Sequence, residues 1–155
     1  MKKIILCLCL CCLYAQLNAQ DSTKYNFNFN HIALSVTDPA RSVAFYTKLF
    51  QWKEITKRTA LQGIRWISMG EGKELHLISI LKEKAMLNKA VHLSFATTQI
   101  DAFEKKLLAL KIPFSDWPGK SGSVQMRADG VKQIYFQDPD GYWIEVNNDP
   151  GKIIE

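Results

Sequence analysis

Residues 137–148 read QDPDGYWIEVNN. A four-residue turn rich in Asp, Pro and Gly opens the stretch, and Tyr142, Trp143, Ile144 and Val146 continue it as an aromatic and β-branched run, the composition of a strand. Glu145 stands in the middle of that run. An unpaired buried carboxylate costs several kcal/mol or more, so a strand built for burial needs a reason to carry one.

Working outward, the same order of elements occurs twice. Period-2 apolar stretches predict strands at 29–36 (FNHIALSV), 52–58 (WKEITKR), 64–70 (IRWISMG) and 74–80 (ELHLISI). A helix is predicted over 37–50, with Asp38 as its cap and Pro39 in its first turn. After the polar stretch 82–89 the order starts again. AVHLSFA (90–96) reads as a strand and TQIDAFEKKLLALKI (98–112) as a helix, in which Thr98 and Asp101 resemble a capping box and Phe103, Leu107 and Leu110 share a face. PFSDW, SVQMRA, KQIYFQD and YWIEVNN supply the closing strands. The chain therefore reads as one α+β domain over 27–148, built from two βαβββ modules, 27–81 and 90–148.

Overlaying the modules sets HIALSV at 31 against HLSFAT at 92, and Gly72 to His76 against Gly141 to Glu145. Each half then carries one potential ligand in its first strand and one four residues past the Gly of its last turn. His31, His76 and His92, the three histidines of the chain, fall on these places, and Glu145 fills the fourth. Imidazole and carboxylate suit Zn, Ni, Mn and non-haem Fe(II), and a divalent cation would remove the objection to Glu145. Strand alternation puts Trp143, Glu145 and Asn147 on one face, and His31, Ala33 and Ser35 on another. Two half-barrels facing each other would gather the four ligands. Glu74, two residues before His76 on the same face, is the alternative fourth ligand, and the carboxylate left over is a candidate base.

The first nineteen residues stand apart. Lys2 and Lys3 precede an apolar run at 4–14, short for a bilayer span, and AQLNAQ follows with Ala19 before the expected cleavage point. That is the pattern of a secretory signal peptide, with a retained anchor as its rival, and it predicts an exported protein. All four cysteines, Cys7, Cys9, Cys11 and Cys12, lie inside this segment, which excludes disulfides and thiol catalysis from the rest. Losing Lys2 and Lys3 lowers the formal charge from +5 to +3. The remaining bases are scattered among acids, a solvated surface that points away from nucleic acid.

The residues together resemble the vicinal oxygen chelate superfamily, the group of glyoxalase I, fosfomycin-resistance thiol transferases, methylmalonyl-CoA epimerase and extradiol dioxygenases. HIALSVTDPARSVAFYTKLF is similar to its first strand and helix, HLSFATTQIDAF to the opening of its second module, and FQDPDGYWIEVNN to its closing hairpin. The resemblance implies paired βαβββ modules forming a cupped, partly open barrel around one divalent metal. His31, His92 and Glu145 match the ligands shared by most metal-dependent members, whereas His76 stands where bacterial glyoxalase I-like enzymes carry a Glu. The implied activity is that of a glyoxalase-like lyase or isomerase acting on a small oxygen-chelating substrate, with Glu145 and Glu74 as its catalytic carboxylates.

An exported chain would meet little of the cytosolic thiol that forms the usual glyoxalase substrate. Two alternatives follow from the same resemblance. One is a metal-free drug-binding cup of bleomycin-resistance type, lined by Trp66, Phe95, Trp117 and Trp143; the other is an Fe(II) dioxygenase. The Gly- and Ser-rich loop 117–132 would form a rim, with Lys120 and Arg127 facing an anionic substrate. Modules of this kind pair within one chain or between two, which leaves a homodimer open.

Overall fold

The computed structural model describes residues 27–55, 62–80, 85–149 and 151. The expected signal segment, the end of the predicted strand at 52–58 and the start of the polar stretch at 82–89 lie outside the described residues. In chain order the elements are β1 (His31–Ser35), α1 (Pro39–Phe50), β2 (Lys53–Ile55), β3 (Ile64–Gly70) and β4 (Lys73–Ile78) in module one. Module two holds β5 (His92–Ala96), α2 (Ile100–Ala109), β6 (Phe114–Ser115), β7 (Gln125–Met126), β8 (Lys132–Gln137) and β9 (Trp143–Asn147). Among the described residues no helix is long and apolar enough to cross a membrane.

The two sheets have the orders β1-β4-β3-β2 and β5-β9-β8-β6, with β7 also on β8. β6 and β7 pair with opposite ends of β8, Phe114 opposite Phe136 and Gln125 opposite Gln133. Together they take the place of one strand, interrupted by the excursion 116–124. The βαβββ repeat therefore holds, with its second strand in module two broken in the middle. In each module the first strand runs parallel to the last, and the registers are duplicated. His31 faces Glu74 and Ala33 faces His76, as His92 faces Trp143 and Ser94 faces Glu145.

Helix α1 begins as its sequence dictates: Asp38 Oδ1 accepts from the N–H groups of Ala40 (2.9 Å) and Arg41 (3.2 Å), with Pro39 in the first turn. The capping box expected at Thr98 and Asp101 does not form. Gln99 is the cap residue and makes no side-chain cap bond, its own N–H goes to Thr97 Oγ1 (3.1 Å), and Asp101 is drawn away to Lys132 Nζ (2.7 Å). A charged partner on β8 outcompetes a backbone amide for that carboxylate.

The modules meet through their helical sides. Leu34, Tyr46, Leu49, Leu75 and Leu77 of module one share a core with Leu107, Ile134, Phe136, Ile144 and Val146 of module two. A polar latch reinforces the join at the turn that precedes β9. Asp140 accepts from Thr37 N (2.9 Å), Thr37 Oγ1 (2.6 Å), Arg41 Nη2 (3.2 Å) and Ser42 Oγ (3.0 Å). Tyr46 donates to Asp138 Oδ2 (2.9 Å), and Tyr142 Oη both donates to Ser35 O and accepts from Ser35 N (3.0 Å each). Gly141, at φ +92°, lets the turn close beneath this cluster. The turn recognised from QDPDGYW thus fastens the second module to the first helix of the first.

Candidate metal centre

With the helices gathered inward, the opposite face of each sheet forms a cup, and the proposed ligands lie on those faces. In module two His92 Nε2 and Glu145 Oε2 are 3.3 Å apart. His92 Nδ1 lies 2.9 Å from the carbonyl oxygen of Lys89, which can only accept, so the proton of the neutral ring is assigned to Nδ1. Nε2 then presents a lone pair toward a carboxylate oxygen. Two acceptors converging in this way require a proton or a cation between them, and a metal-ligating His usually has its other ring nitrogen fixed on a carbonyl or carboxylate. The donor set fits a divalent metal.

Glu145 is itself only 7% exposed. Its oxygens accept from Tyr135 Oη (2.5 Å), Asn147 Nδ2 (2.6 Å) and Ser94 Oγ (3.2 Å). Burial pushes its pKa up, but the bonds from Tyr135, Asn147 and Ser94 oppose it, and the carboxyl is held below its ordinary range. These donors are the first answer to why the strand tolerates a carboxylate, and they keep Glu145 anionic and oriented. Burial, together with the bond to Glu145 and its charge, drives the Tyr135 phenol far above its usual value, so it remains a donor.

In module one His31 and His76 stack with ring centroids 4.2 Å apart and planes 11° from parallel. His76 Nε2 lies 2.9 Å from Glu74 Oε2, and His31 Nδ1 lies 2.6 Å from Asn30 Oδ1. Trp66 meets the His76 ring edge-on at 5.8 Å. His31 itself is exposed. The structure thus brings together His31, Glu74 and His76 as one group, and His92 and Glu145 as another. It does not gather all of them: no group of three or more His, Asp or Glu among the described residues is disposed to hold a metal ion within the chain.

Residues that the sequence reading passed over complete the second group. Lys89 Nζ bonds Ser115 Oγ (3.0 Å), the carbonyl of Trp117 (3.1 Å) and that of Asp116. It also sits over the rings of Tyr135 (4.7 Å) and Trp143 (5.0 Å). Burial lowers its pKa. It pins the base of the 116–124 excursion, so that Trp117 meets His92 (6.2 Å) and Tyr135 (5.4 Å) edge-on. The alternation of Gln133, Tyr135 and Gln137 with Ile134 and Phe136 tells only that Tyr135 shares a face of β8 with the two glutamines; the register of β8 on β9 is what sets it beside Glu145.

Two expectations, one about the rim and one about the lining of the cup, meet a different arrangement. Arg127 is paired with Asp129 and, at 3.6 Å, with Asp149. Phe95 lies on the helical side, edge-on to Phe50 (5.3 Å) and Trp52 (5.2 Å), because alternation turns it opposite to Ser94. It therefore lines no part of the cup, whereas Trp66, Trp117 and Trp143 stand on the cup faces.

A duplicated βαβββ unit, with His and carboxylate side chains at equivalent registers of two cupped sheets, defines a class of small-molecule-binding domains. The chain belongs to the Glyoxalase/Bleomycin resistance protein/Dioxygenase superfamily, whose family model matches residues 28–146. It is 32% identical over 126 residues to the metallothiol transferase FosB of Bacillus licheniformis, covering 76% of this chain and 73% of that protein. It is 28% identical over 127 residues to Glyoxylase I 4 of Arabidopsis thaliana, covering 78% and 70%. Among solved structures, Oxidase ChaP-H2 superposes with a TM-score of 0.67 at 16% identity, covering 81% of this chain and 96% of that one. Lactoylglutathione lyase from Agrobacterium tumefaciens gives 0.59 at 21%, covering 81% and 96%; both likenesses concern the fold.

Proposed function

We propose that this chain is a metal-dependent enzyme of glyoxalase type, a lyase or isomerase that moves a proton next to a carbonyl in a small oxygen-chelating substrate. The observation that carries the reading is the His92–Glu145 pair, two acceptors 3.3 Å apart with their outer partners already in place. His31 and His76 occupy the equivalent registers of module one. These four would hold a divalent Zn, Ni, Mn or Fe ion, which when bound would stabilise negative charge developing on substrate oxygen. Glu145, held anionic by Tyr135, Asn147 and Ser94, suits a ligand better than a base poised near neutral pH. The base role falls to Glu74, which the His76 ring orients.

Because the two ligand groups do not meet within one chain, the site closes between two copies, module one of one facing module two of the other. Their placement supports this: β1 and β5 are the edge strands of their sheets, and the apolar Phe29 and Val91 beside them are 61% and 63% exposed. Export of the mature protein would select a substrate other than the hemithioacetal of a cytosolic thiol.

A second reading, thiol transfer, is favoured by the likeness to FosB and by the engagement of His76 Nε2 with Glu74, which leaves His31, His92 and Glu145 as a three-ligand set. Elemental analysis of the purified protein tests the metal centre: stoichiometric metal in the wild type, lost in His92→Ala, is expected. Equal, metal-free preparations after reconstitution would overturn it. Retention of metal by His76→Ala selects the three-ligand reading, and its loss selects the four-ligand one.

A further inference from the structure

A cavity of about 530 Å³ opens between the modules on the helical side. Its walls come from both halves: Phe50, Trp52 and Met69 from module one, and Phe95, Phe103 and Lys106 from module two. The Phe50 and Trp52 rings stack at 4.5 Å, and Phe95 stands edge-on to both. Val146 closes one side. Since Phe95 and Val146 alternate with Ser94 and Glu145, the cavity is separated from the proposed metal cup by the thickness of the module-two sheet.

The size falls in the range of small-ligand sites, about 300–1,000 Å³, and the lining combines aromatic surface with the polar Gln51, Thr97, Gln99 and Lys106. Lys106 is the one charged residue in the lining, half-buried, and among the described residues no carboxylate pairs with it. Flat, edge-defined aromatic walls select planar rings, and an uncompensated ammonium at their border selects negative charge. We infer a second small-molecule site in this intermodule cavity, one that takes a planar aromatic anion, its rings against Phe50, Trp52 and Phe95 and its acidic group on Lys106.

The test is equilibrium binding of 1-anilinonaphthalene-8-sulfonate to the full chain, followed by its fluorescence, with the uncharged N-phenyl-1-naphthylamine in parallel. One sulfonate per chain is expected. Lys106→Glu should weaken it by about tenfold or more while leaving the neutral probe within about twofold, the signature of a charge contact rather than lost packing. Ala102→Trp, on the exposed face of α2 at the cavity wall, should abolish binding of both probes. Ala102→Leu, a smaller block, should reduce it in a chain that folds if the larger one does not. His92→Ala should bind both probes as the wild type does. Absence of binding to the wild type, indifference to Lys106→Glu, survival of binding in both Ala102 variants, or loss in His92→Ala would each overturn the inference. The metal reading is untouched by any of these results, because its own readout is bound metal.

Discussion

Tyr135 does more for the proposed metal centre than any residue outside the ligand set. Its hydroxyl donates to Glu145 Oε2 at 2.5 Å, the oxygen that also faces His92 Nε2. Tyr135→Phe keeps the ring that packs against Trp117 and His92 but deletes this donor. Glu145 should then rotate more freely and ionise less readily. Outer partners of this kind are worth about 10–100-fold in metal affinity, so a loss of about tenfold is expected in a competition titration with a metal indicator, with thermal stability nearly unchanged. A variant that binds metal as tightly as the wild type would place Tyr135 outside the centre. At this scale Glu145 was legible in the sequence, because a carboxylate in an apolar strand is conspicuous. Tyr135, Ser94 and Lys89 were not, because their roles depend on which strands lie side by side, and alternation along one strand carries no information about its neighbour.

The turn before β9 is the element that couples the modules, and the pKa values of its two carboxyls are displaced in opposite directions. Burial pushes Asp138 upward despite its bonds. Burial acts on Asp140 in the same direction, but bonds from Thr37 and Ser42 and the charge of Arg41 prevail and hold its pKa below the usual carboxylate value of about 4. A carboxyl with a depressed folded-state pKa adds stability that is fully present above its unfolded pKa and is lost as pH falls through the folded value. Asp140→Asn should therefore be less stable than the wild type by about 1–3 kcal/mol near neutral pH. That difference should shrink toward zero on acidification, as chemical denaturation at a series of pH values would show. A constant difference across the series would mean that Asp140 acts through shape rather than charge. The turn itself could be read from its Asp, Pro and Gly residues, and α1 from Asp38 and Pro39. The cap of α2 could not, because Lys132, thirty-one positions downstream, decides where Asp101 goes.

For the whole molecule, the duplication was plain because both modules repeat the same apolar periods, and the structure repeats even their strand registers. Which module one faces which module two was not legible, since the same inward-facing residues serve either pairing. That no three of the described His, Asp or Glu side chains form a metal-holding group within one chain makes the arrangement testable through subunit exchange. If the metal is held between two copies, one protomer of a pair can lack His31 and the other His92. In such a heterodimer one site is missing both residues, while the other combines an intact module one with an intact module two. Unfolding and refolding equal amounts of His31→Ala and His92→Ala together would yield about half heterodimers, and hence about a quarter of the wild-type metal sites. Each variant refolded alone would hold nearly none. Recovery of bound metal, and of catalysis with it, only in the mixture would establish a site shared by two copies; mixtures as empty as their components would return the ligands to a single chain.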